Sequence, residues 1–335
     1  AAATRGGSEP PEFFQNAPGA PIHRGSLRLR AKKSIRILEV EALTSFAEMV
    51  HELLAALGEY ATQPPVRIPR LVSPETTPEE AARLTREALD LSEDEPISHV
   101  IHAAERGGVP VVVADVGMPD AKHDAFSVWV GEFQEQPLIV GRPVNSWERT
   151  RWSIAHELGH LVMHRGVQTA DVEDEANRFA NEFLLPSKML EEEWPEAVTL
   201  TTLMPLKLRW QMSLAALIMH GRTNGLIDED RAVGLFKQLS ARRDTNTGVT
   251  WKNQEPGWAE MQPERPRLLA VMAERGVEQK PSAKLFSSLS GHWAEDLTGE
   301  VVAGQRPAPD VVQALSRQAR TAAVRSDNVV TFRRA

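Results

Sequence analysis

The residues with the most chemistry to offer are His156, Glu157 and His160, which spell HExxH inside RWSIAHELGHLVMH. On a helix, two histidines four residues apart stand about 40° apart around the axis and one turn along it, so both imidazoles can approach one divalent ion. Glu157 projects about 100° from His156, which sets its carboxylate beside such an ion instead of on it. A carboxylate held there is a candidate general base for hydrolysis. Ile154, Ala155, Leu158, Leu161 and Val162 spread apolar surface around most of the helix circumference, the pattern of a buried helix. Buried His and Glu need partners, and a bound cation satisfies all three.

A catalytic zinc commonly has three protein ligands and one open position. The chain has no cysteine, so the third ligand must be His, Asp or Glu. His164 continues the four-residue step but lies about 12 Å along the axis from His156, which suits it to capping the helix or supporting a ligand from behind. The next helical stretch, ADVEDEANRFANEFLLP, offers Glu173, Glu175 and Glu182. Relative to its apolar stripe, Glu173 lies about 65° from the centre and Glu175 about 95° away on the other side. Facing therefore favours Glu173, while a solvated acidic face would suit all three. Asn177, one turn beyond Glu173, is placed to orient it. A His/His/Glu set accepts Zn2+, and also Mn2+ or Fe2+. His220 and Arg222 could donate to a developing oxyanion, but a surface position is the expectation for each, and neither is assigned that role.

These residues need elements to hold them. Asn145 followed three residues later by Glu148 reads as the N-cap of the motif helix, which spans 146–164 with Gly166 near its end. Apolar spacing predicts three earlier helices, at 42–61, 77–91 and 97–106. Short strands follow at 109–113, 125–133 and 138–140, and a helix at 171–185 stops before Pro186. Helices, then strands, then helices make an α+β order. Residues 203–239 are helical again with a break at 211–213, where Ser213 can cap a second helix. The expected division is a flexible basic linker at 1–40, the site-bearing domain at 41–195, a helix-turn-helix-like subdomain at 196–245 and a partly irregular C-terminal region at 246–335.

Composition narrows the classes. With 335 residues, 41% hydrophobic and 25% charged, the chain is of globular type. No apolar run approaches the roughly 20 residues of a membrane span, so no membrane partner is expected. Without cysteine there is no disulfide or thiolate chemistry, and with no signal-peptide pattern the cytoplasm is the expected compartment. A net charge of -8 argues against a general phosphate binder. Residues 1–36 nevertheless carry seven Lys/Arg against two acids, a net of +5. Such an arm can contact DNA, although a solvated linker has the same composition.

Over residues 125–227, in segments such as ERTRWSIAHELGHLVMH, EDEANRFANEFLLP and LKLRWQMSLAALIMHGRTNGLI, the sequence resembles the ImmA/IrrE family of metallopeptidases. The resemblance implies a zincin-like domain with zinc held by His156, His160 and Glu173, and Glu157 as catalytic base. It also implies a substrate, a helix-turn-helix repressor of the Xre type, whose cleavage switches on stress or mobile-element genes. Many similar chains carry their own helix-turn-helix ahead of the peptidase block. None is readable here, and SEPPEFF with the basic arm resembles the linker that follows one, so the expectation is a truncated chain or a separate repressor. His220 stands where the family leads one to expect Arg. Two other readings compete: a DNA-binding regulator using LKLRWQMSLAAL, and a zinc-dependent module that sequesters the repressor without cutting it.

Overall fold

The computed structural model describes residues 37–71, 76–114, 124–165 and 171–279. Most of the expected basic linker, Gly166 and the chain beyond residue 279 lie outside them. Helices α1 (Ile37–Gly58), α2 (Pro78–Ala88) and α3 (Val100–Arg106) come first, followed by strands β1 (Val111–Val113), β2 (Ala125–Val130) and β3 (Gln136–Gly141). Helices α4 (Trp147–Met163), α5 (Val172–Leu184), α6 (Ser187–Glu193), α7 (Met204–Trp210), α8 (Leu214–Thr223), α9 (Glu229–Ala241) and α10 (Leu268–Gln279) complete an α+β order. Helix α1 begins inside the stretch expected as linker, because Val40 and Leu43 already pack into an apolar cluster. No helix among the described residues is long and apolar enough to cross a membrane.

The strands form one sheet in the order β1-β3-β2, with β1 parallel and β2 antiparallel to β3. Strand alternation sends Phe126, Val128 and Val130 of β2, with Val140 of β3, into a cluster shared with α1 and α10. The opposite face puts Ala125, Trp129 and Ile139 into the cluster that contains Ile154 and Leu158 of α4. Helices thus cover both faces, which is why every residue of β2 is buried. On the α4 face of β2, between Ala125 and Trp129, stands Ser127.

Helix α4 starts one residue later than the spacing predicts. Ser146, not Asn145, is its N-cap, and its hydroxyl accepts from the Arg149 amide at 3.2 Å. Glu148 is not a capping-box partner of Asn145, since its carboxylate turns inward to the buried Lys207 ammonium and also accepts from Ser146 Oγ. Further along, Gly159 lets α5 approach closely, since a Cβ at that position would lie 2.8 Å from the Phe179 ring. The residue just before the second motif histidine therefore sets how near the acidic helix comes.

The core does not break at residue 195, where a subdomain boundary was expected. Leu206, Trp210, Met212 and Leu217 belong to the same apolar cluster as Ile154 and Phe179, while Leu203, Leu214 and Leu235 form a smaller cluster beside it. Between α7 and α8 the chain turns at Gln211, whose φ of 55° is left-handed, and Ser213 caps α8 as its position predicts. The polar stretch after residue 245 is tied back by acids. Glu255 meets Lys207 and accepts from the first amide of α8 at 2.7 Å, and Glu264 pairs with the buried Arg151. Glu105 receives the amides of Arg267 and Leu268 at the start of α10, and burial pushes its carboxyl up to about 7.

Candidate metal centre

Helix α4 brings the His156 and His160 Nε2 atoms to 3.1 Å from each other. Glu173, in the first turn of α5, places Oε1 at 3.5 Å from His160 Nε2 and Oε2 at 3.7 Å from His156 Nε2. Ligands about 2.0–2.1 Å from a tetrahedral zinc stand about 3.3 Å from one another, and these approaches, made by the two carboxylate oxygens separately, lie near that spacing. Among the described residues, His156, His160 and Glu173 are the one group of three or more His or acidic side chains that could hold a metal ion. Two neutral imidazoles and a carboxylate suit a borderline cation such as zinc. The two histidines are 3% exposed, whereas the Glu173 side chain is 36% exposed.

The other acids of α5 go elsewhere. Glu175 contacts His164 Nε2 at 2.8 Å, and Glu182, near the far end of the helix, accepts from the Ser187 amide at 3.0 Å. His164 is the C-cap of α4 and sits behind His160, with the two Nδ1 atoms 2.9 Å apart. The contact expected between Asn177 and Glu173 is not made, and the Asn177 Oδ1 is buried with no hydrogen-bond partner. Pointing from the same helix face, Asn181 instead accepts from Trp152 Nε1 at 3.0 Å. The Trp152 ring lies against His156, with centroids 5.1 Å apart.

Glu157 is 4% exposed, and its Oε2 accepts from Ser127 Oγ at 2.7 Å. Sequence reasoning missed Ser127, although strand alternation around Phe126 and Val128 would have turned this lone polar residue to the face opposite them. It also missed the pairing of Glu175 with His164, for which spacing gives no signal. His220 is not at the surface as expected. It is 3% exposed, with Nε2 donating to the Leu185 carbonyl at 2.8 Å and Nδ1 facing Asn224 Nδ2 at 3.1 Å. Burial depresses its pKa to about 4, so it is a neutral structural imidazole. Arg222 is engaged by Glu229.

A HExxH helix facing an acidic helix, beside a small sheet whose Ser127 contacts the motif glutamate, is compatible with a metallopeptidase-like domain. Residues 104–220, from α3 into α8, match the family model described as peptidase M78, IrrE N-terminal-like domain. That stretch, about a third of the chain, is similar to the family that the motif segments resemble. Peptidases of this kind are typically zinc-dependent, and the donor set is of that type. No curated protein matches the chain.

Proposed function

We propose that the chain is a zinc-dependent endopeptidase acting in the cytoplasm on a helix-turn-helix repressor of the Xre type, so that cleavage derepresses stress or mobile-element genes. The observation that carries this reading is the triangle of His156, His160 and Glu173 donor atoms beside the buried carboxylate of Glu157. When bound, the ion supplies Lewis acidity to the scissile carbonyl and to the attacking water. Glu157 accepts the water proton and delivers it to the leaving amine. Ser127 holds one oxygen of that carboxylate and so restrains its direction. Trp152 and Asn181 limit the rotation of His156 from the side.

The regulator reading needs side chains free to enter a DNA groove. In α8, the second helix of the helix-turn-helix-like pair, Thr223 is the only exposed residue, so little of that helix is offered to a groove. The decisive experiment incubates the zinc-loaded chain with the repressor encoded beside it. Fragments that appear with the wild type and vanish with Glu157→Gln, which keeps its zinc, support the peptidase. His156→Ala and His160→Ala should lose both zinc and cleavage. Inhibition of the repressor without fragments would replace the enzyme by a sequestering module, and specific DNA retention would replace it by a regulator.

A further inference from the structure

Behind the ligand triangle runs a second line of contacts. His160 Nδ1 lies 2.9 Å from His164 Nδ1, and His164 Nε2 lies 2.8 Å from Glu175 Oε2. Both imidazoles are nearly sealed from water, at 3% and 2% exposed, so each ring nitrogen must match its protein neighbour. A neutral imidazole has one N–H and one lone pair, and a carboxylate only accepts. Glu175 therefore sets the proton of His164 on Nε2, leaving a lone pair on Nδ1. That lone pair requires the proton of His160 to sit on Nδ1. The lone pair of His160 Nε2 is then aimed at the point shared by His156 and Glu173.

We propose that Glu175 and His164 are positioning residues that fix the tautomer and ring orientation in which His160 can bind a metal. The inference rests on the metal-centre reading and extends it to residues that do not touch the ion. Outer partners of this type commonly change metal affinity by about 10- to 100-fold. Because Glu175 is 38% exposed, replacing it leaves no hole in the core.

The test uses the full chain labelled with 15N-histidine, together with zinc affinity measured by competition with a chelator. The expected spectrum shows His164 protonated on Nε2 and His160 on Nδ1. Glu175→Ala should bind zinc about tenfold more weakly or worse, with the thermal midpoint of the metal-free chain unchanged. Glu175→Gln, whose amide oxygen still accepts from His164, should recover part of the loss. Equal zinc affinity in wild type and Glu175→Ala, or a His164 proton on Nδ1, overturns the relay and leaves the metal centre standing. A wild type that takes up no zinc overturns the metal centre, and the role of the relay with it.

Discussion

Ser127 is a small residue with a large lever. Its hydroxyl is fully buried on the edge strand and holds Glu157 Oε2 at 2.7 Å, so it restricts where the motif carboxylate can point. Ser127→Ala should lower kcat on the order of tenfold while leaving KM and zinc stoichiometry at wild-type values, as read by steady-state cleavage and elemental analysis. At this scale much of the site is legible in the sequence, because the 3.6-residue period alone puts His156 and His160 on one face and turns Glu157 aside. Glu173 is favoured over Glu175 by the same period. The hydroxyl of Ser127 and the partners of His164 are not legible, since they come from elements whose relative placement no local spacing encodes.

At the scale of elements, the distance between α4 and α5 decides whether Glu173 reaches the histidines. Gly159 sets that distance, because a methyl group there meets the Phe179 ring at 2.8 Å. Gly159→Ala should cost about 1–3 kcal/mol through overpacking, partly offset by about 1 kcal/mol of better helix propensity. It should also weaken zinc binding, and Phe179→Leu in the same chain should restore part of both, as checked by denaturant unfolding and chelator competition. The motif helix itself is readable from its apolar spacing. Its cap is not, because Glu148, which would complete a box with Asn145, is claimed by the buried Lys207. The parallel pairing of β1 with β3 is likewise invisible in three short apolar runs.

At the scale of the whole molecule, apolar contacts run across the boundary expected at residue 195, and buried acids stitch the later polar stretch to the core. Lys207 is wholly buried against Glu148 and Glu255. Glu255→Ala should lower unfolding stability by about 1.5–3 kcal/mol, since Glu148 remains as counter-ion while the amide of Leu214 also loses its acceptor. The pH dependence contains two opposed contributions. His220, held at about 4 by burial, contributes stability that is present above its ordinary 6.5 and is lost as the pH falls towards 4. Glu105, raised to about 7, contributes stability that is present below its ordinary 4.5 and is lost as the pH rises through 7. Comparing wild type with His220→Gln isolates the first. The stability advantage of the wild type should shrink by about 2 kcal/mol between pH 7.5 and pH 5 in denaturant titrations.

The three donors are not equally sheltered: two nitrogens are sealed beneath α4, while the single oxygen donor sits a third exposed on α5. A bound ion would therefore meet solvent on the Glu173 side, with the imidazole pair as its sheltered seat.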